Sequence, residues 1–222
     1  MNLGFFANLV TVSRIILTPL FVLAVARSLD SQAALHISKY IFLWIVVSDT
    51  LDGNLARLGG NKNKMGGFLD ALADRIFIGI GYLFIYKVYG MPPYWLFLIV
   101  ASRVVGLGVL WFIIFFASGL PFHRFIEVHN IINIPHPMGK TTVDLQLILM
   151  GLILFGVLTF LVEPMVYLVA VFSVVSSLMY LFSVLKLASE YDPHSIGKDE
   201  GRVLQGIVAC RSRLKRAILI WS

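Results

Sequence analysis

The chain is organised by long apolar stretches broken at short polar punctuation. Ile76–Tyr86, Pro92–Ser102, Val104–Phe122 and Leu145–Val162 carry essentially no charge, and their apolar residues do not alternate as the strands of a membrane barrel would. A membrane-crossing helix needs about 20 predominantly apolar residues. On that criterion the pattern predicts six spans, near Val10–Ala26, Ala34–Leu55, Phe68–Val88, Pro93–Phe116, Val143–Leu161 and Met165–Leu187. Ser28–Gln32, Gly59–Gly67, Tyr89–Pro93, Ser118–Gly139 and Glu163–Pro164 read as the loops between them, and Asn2–Ala7 as the start of an amphipathic entry helix. The expected fold is all-α, a polytopic membrane protein with about six transmembrane helices, because in lipid the backbone must satisfy its own hydrogen bonds.

Composition agrees. Of 222 residues 59% are hydrophobic and only 14% charged, too little charge for an ordinary soluble domain. Cys210 is the single cysteine, so no intrachain disulfide is expected. Met1–Val12 has no basic leader and Arg14 interrupts the apolar stretch that follows, so a cleavable signal is not expected. The net charge of +6 is concentrated late in the chain, with Lys198, Arg202, Arg211, Arg213, Lys215 and Arg216 in the tail. Lys62, Lys64, Arg57, Arg124 and Lys140 flank the second and fourth loops. The positive-inside rule therefore places both termini and those two loops in the cytosol. The basic excess points to anionic lipid headgroups rather than nucleic acid. Val203–Trp221 mixes basic and apolar residues at near-helical spacing, which fits an interfacial helix or, equally, a frayed end without function.

Four aspartates stand out against this background. Asp49 and Asp52 are three apart near the end of the second span, and Asp70 and Asp74 are four apart at the start of the third. Each pair shares a helix face, and the short glycine-bounded loop makes the two helices antiparallel neighbours, so all four carboxylates converge. Clustered carboxylates near a membrane interior repel one another and are costly to desolvate. Arg57, Arg75 and Arg103 are too few to neutralise them, whereas oxygen-rich sites suit hard divalent cations. Gly53 and Ala56 lie on the same stripe and open a groove beside the carboxylates, with room for a flat ligand. A diphosphate bridged by two metal ions accounts for both features.

Asp49, Asp52, Gly53, Ala56, Arg57, Gly66, Asp70 and Asp74 fit the spaced pattern D-x-x-D-G-x-x-A-R-x8-G-x3-D-x3-D in full. This resembles the signature of the CDP-alcohol phosphatidyltransferases, over about residues 8–187. The resemblance implies a membrane domain over 1–190; the basic tail over 191–222 is not matched by it and is expected in the cytosol from its charge. It implies that Asp49, Asp52 and Asp70 hold two Mg2+ or Mn2+ ions on the diphosphate of a CDP-linked lipid. Asp74 would take the proton of the attacking hydroxyl while also touching a metal. Gly53, Ala56, Arg57 and Gly66 would serve the nucleotide, and CMP would be released. It further implies a homodimer, and the basic residues place the aspartates at the cytoplasmic side of the cell membrane.

The acceptor rests on thinner resemblance. Asn8, Thr11, Arg14 and Pro19, with Gly139-Lys140-Thr141-Thr142 and Gln146, are similar to the phosphatidylglycerophosphate and cardiolipin synthases. Arg75, Arg103 and Lys140 are the candidate acceptor-binding residues, and three cations suit an acceptor with its own phosphate. Glycerol 3-phosphate is expected first. Ala71, Arg75 and Val104 depart from the usual pattern of those synthases, and an arginine after the fourth aspartate is closer to inositol-lipid synthases, so inositol phosphate and phosphatidylglycerol are the alternatives. Arg103 has a second reading as an ion-pair partner of the aspartates, and Asp144 as the local partner of Lys140. His123, His129 and His136 are too widely spaced for zinc motifs. A membrane prenyltransferase typically carries two separated aspartate clusters, and a cation transporter commonly shows internal repeats; this chain shows neither.

Overall fold

A computed structural model describes residues 3–58, 64–122, 124–126 and 137–189, with side chains described except at 3–11, 49–58, 64–71, 117, 137 and 184–189. Six long helices cover most of these residues: α1 (Leu3–Ala26), α2 (Gln32–Leu58), α3 (Lys64–Tyr89), α4 (Tyr94–Ser118), α5 (Pro137–Phe155) and α6 (Val162–Ser189). Among the described residues three stretches are individually long and apolar enough to cross a bilayer, namely Tyr94–Phe116, Met138–Phe155 and Thr159–Ser183. Val12–Ala26 and Gln32–Ser48 are shorter apolar helices. The surface carries Trp44, Val105, Phe112, Phe116 and Phe182, all more than half exposed, which only a lipid solvent makes reasonable. The protein is an all-helical, polytopic membrane protein.

Helix ends follow local chemistry. Ser31 Oγ accepts from the Ala34 amide at 3.3 Å, which satisfies an orphan donor at the start of α2. α3 and α4 stop at glycines in the left-handed region, Gly90 with φ 69° and Gly119 with φ 61°, where a side chain would be strained. Pro19 lies inside α1 and cannot donate to the carbonyl one turn back.

One boundary departs from expectation. The hydropathy pattern puts the fifth span over Val143–Leu161 and a loop at Glu163–Pro164. Instead α5 begins at Pro137 and ends at Phe155. Gly156 (φ 65°) and Leu158 (φ 50°) then turn the chain into the short 3-10 helix Thr159–Leu161. Glu163 and Pro164 belong to the first turn of α6. Proline is tolerated there because its missing N–H has no intrahelical partner, and a carboxylate suits the positive helix end.

α1 packs against both α2 and α3, α6 against α4 and α5, and α3 against α4 and α5. As the sequence suggests, α2 and α3 meet directly, with the Phe42 and Phe77 ring centres 6.4 Å apart, and α1 packs against both. Phe21 of α1 sits 5.2 Å from Phe77 of α3 and 6.4 Å from Phe42 of α2, ring centre to ring centre. Because lipid is as apolar as leucine, such helices associate through close packing and polar contacts rather than through burial alone. Gly81 shows the first: a Cβ there would stand 2.9 Å from the Met150 methyl carbon, so α3 approaches α5 closely. The Tyr82 hydroxyl shows the second, donating to the Gln146 carbonyl oxygen at 2.9 Å.

Candidate active site

Asp49 and Asp52 lie in the last three turns of α2, and Asp70 and Asp74 in the first three turns of α3. Both pairs therefore sit at the end of the bundle where α2 leaves off and α3 begins. The side chains of Asp49, Asp52, Gly53, Ala56, Arg57, Gly66 and Asp70 fall outside the described residues, so the metal and nucleotide assignments on them stand as expectations. Among the described residues no three His, Cys, Asp or Glu side chains form a metal-holding group.

Asp74 is described, and its surroundings hold a residue that sequence reasoning passes over. Arg14 Nη1 of α1 donates to Asp74 Oδ1 at 2.7 Å. The arginine is 1% exposed and the aspartate side chain 27%. A signal for it exists. An arginine inside an apolar membrane helix is a functional candidate, yet on sequence grounds Arg14 reads only as an interruption of a signal-like stretch and as a position of the resemblance. An oxygen-donor carboxylate that stays accessible at this end has the chemistry a hard divalent cation requires.

A second polar region lies between α4, α5 and α6. Arg103, half-buried on α4, donates through Nη2 to the Gly139 carbonyl and to Ser176 Oγ, both at 3.3 Å, and through Nη1 to Gln146 Oε1 at 3.5 Å. Fully buried Gln146 donates in turn from Nε2 to Ser173 Oγ at 3.1 Å. These three partners of Arg103 are all neutral, and its buried Nε has no hydrogen-bond partner among the described residues. The reading of Arg103 as an ion-pair partner of the aspartates is thus not what the described contacts form; Arg14 takes that part at Asp74. Arg75, on the residue after Asp74, is close enough for its charge to act on both Arg103 and Tyr180. Lys140 is exposed in the first turns of α5, next in sequence to the Gly139 carbonyl that Arg103 reaches. Arg75 lies within electrostatic reach of Arg103, and Lys140 is next in sequence to the Gly139 carbonyl that Arg103 contacts.

The expected Lys140–Asp144 ion pair does not form between these two described side chains. Asp144 instead borders a cavity of about 340 Å³ between α2 and α5, with Phe42, Val46 and Gly151. Neighbourly spacing at i and i+4 permits a contact, but two exposed side chains gain little from making one.

The sequence profile of the CDP-alcohol phosphatidyltransferases matches residues 5–179. The chain belongs to that family. As a CDP-alcohol phosphatidyltransferase family member it has all six helices within or overlapping the matched region, and the four spaced aspartates fall inside it. Its relatives include a protein of Mycobacterium tuberculosis (strain CDC 1551 / Oshkosh) named probable phosphatidylglycerophosphate synthase, 30% identical over 105 residues, or 47% of this chain and 50% of that one. A Haemophilus influenzae protein named CDP-diacylglycerol–glycerol-3-phosphate 3-phosphatidyltransferase is 38% identical over 68 residues, 31% of this chain and 36% of that one. A Salmonella typhimurium protein of the same name is 32% identical over 97 residues, 44% and 51% respectively. The chain thus spans about half the length of the relatives it matches, or less.

Proposed function

We propose that this membrane protein transfers the phosphatidyl group of CDP-diacylglycerol to glycerol 3-phosphate and releases CMP, with its active-site end facing the cytosol in the cell membrane. Family membership sets aside the prenyltransferase and transporter readings. The names of the relatives favour glycerol 3-phosphate as acceptor. The observation that carries the acceptor assignment is Arg103. It is a half-buried guanidinium on neutral partners, with an Nε unpartnered among the described residues and a second cation, Arg75, within electrostatic reach. Two cations within electrostatic reach of each other in a partly desolvated region repel each other, and an anionic ligand removes that cost.

In this reading Asp74 accepts the proton of the acceptor hydroxyl. The freed oxygen attacks the phosphorus that carries the diacylglyceryl group. The bond from that phosphorus to the bridging diphosphate oxygen breaks, and CMP leaves. Arg75, Arg103 and Lys140 hold the acceptor phosphate through charge-assisted hydrogen bonds. Gly53 and Ala56 give the cytidine close approach to α2, with Arg57 and Gly66 beside the nucleotide. Two Mg2+ or Mn2+ ions on Asp49, Asp52, Asp70 and Asp74 would supply charge stabilisation at the diphosphate.

An acceptor panel of glycerol 3-phosphate, inositol phosphate, inositol, serine and phosphatidylglycerol, each with CDP-diacylglycerol, tests the assignment. Glycerol 3-phosphate should give the highest kcat/KM. Preference for inositol phosphate would keep the phosphate-binding region and change the alcohol. Preference for serine or inositol would overturn both.

A further inference from the structure

We infer that Arg14 is a positioning residue that fixes the Asp74 carboxylate from the protein side, an assignment that rests on the proposed transfer reaction for what Asp74 then does. Three observations carry it. The first is the contact, a 2.7 Å hydrogen bond from Arg14 Nη1 to Asp74 Oδ1 between helices, 60 residues apart in sequence. The second is its asymmetry. Arg14 is 1% exposed, so it stands behind the site and cannot itself be an open ligand-binding surface. The aspartate is 27% exposed and keeps an accessible side. A structural ion pair has no need of an open face on one partner, whereas a base must be reached by the proton it takes.

The third is that α1 is docked on α3 by other means. Phe21 packs on Phe77 at 5.2 Å between ring centres, and the Ser28 and Tyr89 hydroxyls share a hydrogen bond of 2.8 Å near the other end of the two helices. The two helices therefore have contacts other than the ion pair, which sits at an aspartate of the spaced signature. A carboxylate on a helix retains torsional freedom, and a base must lie within hydrogen-bond reach of the proton it takes. A guanidinium anchored in the core removes that freedom.

The test uses Arg14→Met and Arg14→Lys in the full chain, purified in detergent or nanodisc. Steady-state kinetics are measured with CDP-diacylglycerol and glycerol 3-phosphate, and the structure of each variant is determined. Misplacing a catalytic group by about 1 Å costs on the order of 100-fold, so Arg14→Met should lose about that much in kcat. Both KM values should stay within about threefold, because Asp49, Asp52 and Asp70 still hold the metal ions on the diphosphate and the acceptor-binding cations are unchanged. Arg14→Lys should recover at least about tenfold of the loss, since an ammonium supplies one of the same contacts without the rigid fork. In the Arg14→Met structure the helices should superpose on the parent while the Asp74 side chain leaves its position. If kcat keeps its parental value, if kcat and both KM values deteriorate together in both variants, or if Asp74 is unmoved, the inference is wrong. Should Arg14→Met fail to fold, Arg14→Lys decides: reduced kcat at unchanged KM supports positioning, and parental kinetics overturn it. A parent chain that releases no CMP defeats the proposed reaction alone, and the position of Asp74 in the variant structures still decides the inference.

Discussion

Arg103 on α4 reaches across to the main-chain carbonyl of Gly139 on α5, with Nη2 3.3 Å from the oxygen. That contact puts a guanidinium from an apolar helix beside the first turns of α5, where Lys140 follows immediately. The backbone carbonyl orients the cation without neutralising it, so its charge stays available to an anion. Arg103→Ala and Lys140→Ala should therefore raise the KM for glycerol 3-phosphate by about ten- to a hundred-fold, the equivalent of one charge-assisted contact worth about 1.5–3 kcal/mol. The KM for CDP-diacylglycerol should hardly move. Parental acceptor KM in both variants would remove these residues from the acceptor site.

The Tyr82 hydroxyl joins α3 to α5 through the main-chain carbonyl of Gln146, whose side chain accepts from Arg103. Tyr82→Phe deletes one neutral hydrogen bond and keeps the ring, so the expected loss is about 0.5–1.5 kcal/mol. Thermal unfolding in detergent should show a modest fall in Tm with kcat unchanged. Gly81→Leu should do much more harm, because even a Cβ there stands 2.9 Å from the Met150 methyl. Met150→Ala in the same chain should restore part of the lost stability by making room. If Gly81→Leu is as stable as the parent, the close approach of α3 to α5 is not as described.

These two helices also show what the sequence makes legible. The helices themselves are readable because an uncharged run near 20 residues is too apolar for a water-facing helix and too long for a membrane strand. Their ends are readable where glycine or proline marks them, as at Gly90 and Gly119. The α5–α6 turn is harder to place. Glu163–Pro164 looks like a break, although proline is at home in a helix's first turn, and the actual turn residue Leu158 carries no local signal for positive φ. The aspartate signature is readable because its spacing is local. Arg14 and Arg103 are visible as charges in apolar runs, but their partners lie 60 and 36 or more residues away. Pairings of that kind are set by helix packing, which periodicity does not encode.

The aspartates should separate by role. Asp74→Asn removes the proposed base, so turnover should vanish while CDP-lipid binding persists. Asp49→Asn and Asp70→Asn should weaken the metal-dependent binding of CDP-lipid itself. Titration of each variant with CDP-diacylglycerol, with and without Mg2+, distinguishes the two patterns. Equal binding losses in all three would deny Asp74 a role of its own.

Gly53 and Ala56 are proposed to admit the cytidine. Replacing either with leucine suits a membrane helix and should leave the protein inserted and folded, yet nucleotide affinity should fall. Unchanged affinity at normal stability would assign the two residues to helix packing.

The most direct test of the central claim is CMP release by the purified chain supplied with CDP-diacylglycerol, glycerol 3-phosphate and Mg2+ or Mn2+. Stoichiometric CMP and phosphatidylglycerophosphate are expected, dependent on both substrates and abolished by excess EDTA. Full turnover in EDTA would contradict the metal assignment, and no CMP with any alcohol acceptor would contradict the proposed reaction itself.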